Sequence, residues 1–325
     1  MEDNSRKILE KAENFRARGL FSKARSSYLF AIDSSSDPSL RFDSFLSLAS
    51  IARSIGEISE ARGHIQKARF EMRRAGRINE KEFVDLEEIL IDRAEGKYQE
   101  SISRLNAFLK RKIREKDFQA CAFIEWALGG ALRFSGQLEK SKKAYLRSLE
   151  LASKAKDGDG KIYALLGLGG ISRIQGKLSD SENYYRKAKN LLSKSADLFA
   201  KAYAYCGLGN ALRQKGLYRE AKGLYLKSRF LYRKLGDPAD MGYVEWGLAR
   251  VNMQQGNLKE ARRFLVRALA LFKQAQENRG LVLAKISLSQ VLHALGETRA
   301  ADILFKQAVE LSRKSGLTAH LESFT

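Results

Sequence analysis

Six arginines, Arg16, Arg53, Arg93, Arg133, Arg173 and Arg213, each stand three residues before a glycine, and the same place is taken further on by Met253 and His293. A guanidinium is always charged, offers a planar fork of donors to carboxylate or phosphate, and stacks on aromatic rings. Such a column suits an extended anion. Three further rows recur at thirteen, ten and six residues before the same glycines. The first is aromatic: Phe83, Phe123, Tyr163, Tyr203 and Tyr243. Beside it run Trp126, Leu166, Cys206 and Trp246, then Gly130, Gly170, Asn210 and Arg250. The steps of three, four and three residues place all four rows on one face of a helix.

The elements that must carry these rows follow from the glycines themselves. Gly56, Gly96, Gly136, Gly176, Gly216, Gly256 and Gly296 are 40 residues apart, and Gly19 precedes Gly56 by 37. Apolar residues three and four apart run on both sides of each glycine, as in KAYAYCGLGNALRQKG and GLYREAKGLYLKSRFLYRKLG, so each unit reads as helix, tight turn, helix. Five residues after the glycine the side chain is small (Ala24, Ala61, Ser101, Ser141, Ser181, Ala221, Ala261, Ala301). Nine after it the side chain is large: Tyr28, Ile65, Leu105, Tyr145, Tyr185, Tyr225, Leu265, Phe305. Large and small residues alternating at fixed offsets are what close helix packing demands. The expected architecture is all-α, eight repeats over residues 1–316, followed by a short tail at 317–325.

The pairs Leu128-Gly129, Leu168-Gly169 and Leu208-Gly209, followed by those small and aromatic positions, resemble the tetratricopeptide repeat, in the extended subclass found in LGN-type adaptors and MalT-like regulators. The resemblance implies a right-handed α-solenoid, a superhelix whose concave face is lined by the first helix of each pair. It also implies that the four rows face that groove. The candidate binding residues are then Arg53, Arg93, Phe123, Trp126, Arg133, Tyr163, Arg173, Tyr203, Asn210, Arg213, Tyr243, Trp246 and Arg250. Tyr145, Tyr185 and Tyr225, on the second helices, are expected in the core instead.

Two alternatives accompany this reading. The arginines could each pair with an acid of the next repeat, for which Glu87, Glu125 and Glu245 are candidates, leaving no free column. The additional glycines Gly130, Gly167, Gly170, Gly207 and Gly247 each cost a helix about 1 kcal/mol against alanine. They either make room for a ligand or let neighbouring helices pack closer.

Charge points to the kind of partner. The chain of 325 residues carries a formal +21, yet residues 1–100 hold 18 basic and 18 acidic side chains, leaving 41 basic and 20 acidic for the rest. An anionic partner should engage the latter part. Hydrophobic content of 44% with only two prolines excludes a disordered chain. No apolar run is long enough for a membrane span, and the start MEDNSRKILEKAENF lacks a secretion signal's apolar stretch, so a cytoplasmic protein is expected. Cys121 and Cys206 form neither a disulfide framework nor a CxxC site, and His64, His293 and His320 fall in different repeats. No Walker loop, GxSxG elbow or HExxH occurs, so no enzyme activity, cofactor or metal is expected.

The leading expectation is a non-catalytic adaptor that holds an extended acidic peptide or protein tail. Single-stranded nucleic acid in the same basic groove is the first rival, and a small-ligand sensor module the second. The last second helix, with Ile303, Phe305 and Val309, is apolar enough to suggest a partner, a second copy or the tail itself against it.

Overall fold

The computed structural model describes residues 2–315; the tail at 317–325 and His320 lie outside the described residues. The described chain is all-helical, with sixteen α-helices packed in consecutive pairs. They are α1 (Glu2–Ala17), α2 (Phe21–Asp33), α3 (Pro38–Ser54), α4 (Ile58–Arg74), α5 (Lys81–Ala94), α6 (Tyr98–Arg114), α7 (Phe118–Phe134) and α8 (Leu138–Lys154). Then come α9 (Gly158–Ile174), α10 (Leu178–Leu191), α11 (Leu198–Gln214), α12 (Tyr218–Leu235), α13 (Pro238–Gln254), α14 (Leu258–Gln274), α15 (Asn278–Ala294) and α16 (Thr298–Lys314). The chain divides into two compact units, residues 1–160 with 195–198, and residues 161–194 with 199–325.

Each first helix ends at its repeat glycine because only a left-handed residue closes the turn there. Gly136 sits at φ +80, its N–H bonds Arg133 O at 3.2 Å, and Gln137 N bonds Leu132 O at 2.9 Å. This pair of bonds satisfies the carbonyls a helix end leaves open. The same closure repeats at Gly56, Gly96, Gly176, Gly216, Gly256 and Gly296. Between repeats, capping acids start the next first helix: Asp37, Asp117, Asp157 and Asp237 accept a backbone N–H two or three residues on, each contact about 2.9 Å. Removing such a cap costs about 1 kcal/mol.

The large and small offsets pack as the sequence requires in the first seven repeats, whereas in the last the large residue, Phe305, stays half exposed because no further pair follows in the described chain. Tyr145, Tyr185 and Tyr225 are buried, each fitted against a glycine of its own first helix; a Cβ on Gly129 would fall 2.7 Å from the Tyr145 ring. Where the small residue is serine, its hydroxyl crosses to the partner helix: Ser141 Oγ donates to Gly129 O at 2.7 Å and Ser181 Oγ to Gly169 O at 2.8 Å. A buried hydroxyl is thereby satisfied at a helix contact too close for a larger side chain. On α16, Ile303, Phe305 and Val309 remain about half exposed.

Candidate binding face

The arginine column does not behave as one column. Arg16 is exposed and bonded to Glu13 on its own helix at 2.7 Å. Arg53 reaches α5, where Nε donates to Glu87 Oε1 at 2.6 Å. Arg93 donates from Nη1 to Ala127 O at 3.3 Å and lies 5.5 Å from the Trp126 ring. Loss of water around this guanidinium, with the like charge of Arg53 next, pulls its pKa down to about 10. Arg133 lies over Phe134, 4.6 Å from the ring.

In the second unit the pattern changes. Arg213 is only 5% exposed, and neither its Nε nor its Nη2 has a hydrogen-bond partner. The Nε of Arg173 and that of Arg250 are likewise buried and unbonded. Among the described residues no carboxylate lies within 4 Å of any of the three guanidiniums. Arg213 and Arg250 both lie near Trp246, 5.6 and 5.9 Å from its ring centroid. Burial lowers the Arg250 pKa, and the Arg213 charge lowers it further. Arg173 and Arg213 also both act on Tyr225, whose phenol burial pushes up to about 12 against the pull of their charges. Charges on α9 and α11 thus both act on the Tyr225 hydroxyl, and Arg250 on α13 feels the charge of Arg213.

That hydroxyl donates to Asn210 Oδ1 at 2.8 Å. The Asn210 amide oxygen is therefore engaged, and its Nδ2 makes a long contact of 3.7 Å with Cys206 Sγ. Burial raises the Cys206 thiol to about 12, so it is an inert packed group at neutral pH.

The aromatic rows divide in the same way. Phe123 is exposed and meets Trp126 at 5.7 Å, forming an open apolar surface on α7. Tyr163 and Tyr203 are half-buried. Tyr243 is packed edge-on against Phe272 at 4.8 Å. Its hydroxyl donates to Glu277 Oε1 at 2.9 Å and accepts from Arg279 Nε at 3.0 Å. Trp246 is buried, and its indole N–H donates to Ser287 Oγ at 3.0 Å. Tyr243 and Trp246 therefore tie α13 to α15, and Trp246 supports the arginines beside it.

Of the three acids that sequence offered as arginine partners, only Glu87 takes that role. Glu125 faces Arg147 and Glu245 faces Arg229, each at 3.5 Å, and burial raises the pKa of both carboxyls. Two of the additional glycines serve packing: a Cβ on Gly207 would fall 2.2 Å from the Tyr185 ring, and one on Gly247 would fall 2.6 Å from that of Tyr225. Gly130 leaves room for Arg93, whose Nη1 would be 2.8 Å from a Cβ there. Sequence reasoning missed the capping aspartates and Tyr225's contact with Asn210; an acid nineteen residues before six of the turn glycines, with Arg77 in that place before Gly96, was the readable signal for the former. His293 is exposed on α15. No group of three His, Cys, Asp or Glu side chains fit to hold a metal occurs among the described residues, and no helix there is long and apolar enough to cross a membrane.

Helix pairs closed by a left-handed glycine, with a large residue seated between small ones, define a tetratricopeptide-repeat protein. Residues 107–312 match the MalT-like TPR region, and the chain belongs to that family. Among solved structures, it is similar to a Rap protein complexed with competence and sporulation factor, at TM-score 0.69 and 12% identity over 97% of this chain and 99% of that one. The apo form of RapI is similar at TM-score 0.54 and 16% identity, over 84% of this chain and 77% of that one. BtubC (BKLC) from P. vanneervenii follows at 0.53 and 16%, over 68% and 91%. At these identities the likeness is one of fold. No curated protein matches the chain in sequence.

Proposed function

We propose that this TPR protein is a non-catalytic, cytoplasmic interaction module that captures an acidic segment of a partner protein on the first-helix face of its second unit. The observation that carries this reading is Arg213, a buried arginine with two unbonded nitrogens between two more arginines that lack acids. A buried charge without a counter-charge is costly, and an arriving anion relieves that cost. Asn210 offers its Nδ2 to the segment's backbone, and Tyr203 offers a half-exposed ring. The Rap protein of similar fold that is complexed with competence and sporulation factor supports a protein ligand for this architecture. The exposed apolar side chains of α16 supply a separate contact for a partner or a second copy.

The test replaces Arg173 and Arg213 with alanine and measures capture of acidic peptides by the full chain, with a melting curve to establish folding. Capture should be lost at constant fold. Unchanged capture by a folded double variant removes the proposed seat. Single-stranded nucleic acid on the same arginines would lose affinity with this substitution as well, whereas a nucleic-acid contact on the second helices would draw on the exposed Lys143, Lys187, Lys222 and Lys227. The latter predicts oligonucleotide affinity that falls steeply with salt and survives this substitution.

A further inference from the structure

We propose that the Arg173, Arg213 and Arg250 cluster is a seat for a doubly charged phosphoryl group, so that the partner segment is recognised in its phosphorylated form. This rests on the reading of the face as a protein-binding surface and narrows its ligand. The argument begins with charge. Arg213 and Arg250 share the Trp246 ring, the charges of Arg173 and Arg213 both act on the buried Tyr225 hydroxyl, and no carboxylate lies within 4 Å of the three guanidiniums. One carboxylate would neutralise one of them. A phosphate monoester brings about −1.5 to −2 charges at pH 7 and three acceptor oxygens.

Donor count agrees with charge count. Arg213 presents Nε and Nη2 unbonded, the two nitrogens along one edge of the fork, and Arg173 and Arg250 each add an unbonded Nε. Asn210 adds a donor too, because its oxygen is held by Tyr225 and its Nδ2 has only a long sulfur contact. Four arginine N–H groups and one amide suit an acceptor-only ligand with several oxygens better than one with two.

The surroundings keep the donors in place without a ligand. Trp246 lies beside both Arg213 and Arg250, and its own N–H is fixed on Ser287. Tyr225 is wedged against Gly209 and Gly247, so its hydroxyl cannot retreat. The counted nitrogens are closed off from solvent in the ligand-free chain, so these arginine side chains must part to admit the phosphoryl group.

Inorganic phosphate, phenyl phosphate and acetate, titrated calorimetrically into the full chain at constant ionic strength, test this. Both phosphates should bind about tenfold or more tightly than acetate at pH 7.5, as charge-assisted bonds to several oxygens require. That advantage should shrink toward pH 5.5 as the phosphate takes up its second proton near pH 6. Arg213→Lys, which keeps the charge and loses the fork, should remove most of the advantage, and Arg250→Gln serves if the first variant melts early. Equal affinity for acetate and phosphate, or a phosphate affinity flat in pH, overturns the phosphoryl seat. In that case capture of an unphosphorylated acidic peptide decides separately whether the broader reading stands. Tighter binding of oligothymidylate than of phenyl phosphate, with no pH dependence between 5.5 and 7.5, would also overturn it, since a phosphodiester has no second proton to gain.

Discussion

Arg53 in the second helix pair and Arg213 in the sixth stand at the same place in the repeat and are used differently. In α1–α6, arginines join one repeat to the next through acids: Arg25 to Glu57 at 2.8 Å, Arg41 to Glu71 at 2.8 Å, Arg53 to Glu87 at 2.6 Å and Arg69 to Glu88 at 3.1 Å. Asp92 takes both Arg62 and Arg104. From α9 onward Arg173, Arg213 and Arg250 meet no acid within 4 Å, and the Trp246 ring is the neighbour of the last two, although Arg262 still joins Glu297 of the next repeat at 2.7 Å. A side chain's place in the repeat fixes where it stands, and the residue facing it in the next repeat fixes whether it is structural or available. The balanced charge of residues 1–100 and the excess beyond are the same contrast seen in composition.

The largest expected effect comes from breaking that contrast at its two ends. Arg53 and Glu87 are mostly buried and bonded to each other, so Glu87→Leu strands a cation and should destabilise the chain by about 3 kcal/mol. Arg213→Met removes a buried cation that has no partner. In the ligand-free protein it should leave the midpoint of urea unfolding unchanged or raise it. If both substitutions destabilise to the same degree, the two arginines are equivalent and the distinction between structural and available positions fails.

The knob positions differ between the regions as well. Ile65 and Leu105 occupy them in the second and third pairs, whereas the next three have tyrosines, of which Tyr185 and Tyr225 sit between glycines of two successive first helices. Gly207→Ala should therefore lower stability by about 1–3 kcal/mol despite alanine's better helix propensity, because the Tyr185 ring cannot yield. Adding Tyr185→Leu should recover most of the loss. Denaturant titration of the single and double variants checks this, and additive losses would show that the glycine is not there for the ring.

A third expectation concerns Asp240, at the start of α13, whose backbone N–H caps onto Asp237. Burial and the neighbouring Asp237 carboxylate raise its pKa to about 8, with Glu277 adding to this, and Tyr232 and Arg279 opposing it. The folded chain therefore holds a proton that the unfolded chain releases near pH 4, and stability contributed by this group falls as pH rises from about 4 to about 8. Asp240→Asn should flatten the melting temperature between pH 5 and pH 8, with its gain largest at pH 8. An unchanged slope would place the titration elsewhere.

Much of the fold was legible because it is written eight times. The 40-residue glycines, the small and large offsets and the helical period all survive averaging over repeats. The face was legible only as a set of positions. Arg53, Arg93 and Arg213 look alike in the sequence, and what separates them is Glu87, the Ala127 carbonyl and an empty surrounding, each about one repeat further along the chain. Trp246 illustrates the same limit: its offset places it beside the arginines, while Ser287, 41 residues on, decides that its N–H points inward.

The smallest effect tests the turns between repeats, where a glycine closes some and a residue with a Cβ closes others in both regions. The residue that precedes the capping position is left-handed at five of these turns: Gly76 at φ +68 and Gly236 at φ +71, but Lys116, Lys156 and Gln276 at φ 57, 55 and 53. A left-handed conformation costs a residue with a Cβ roughly 1–2 kcal/mol, and glycine gives back part of that through a more flexible unfolded chain. Lys156→Gly should thus raise stability by about 0.5–1 kcal/mol. Gly76→Ala, the reverse change, should cost about as much or slightly more, since open space surrounds its Cβ and conformation alone is at stake. Were Lys156→Gly destabilising, the lysine would be contributing a contact beyond backbone geometry, and these turns would differ in more than the residue that closes them.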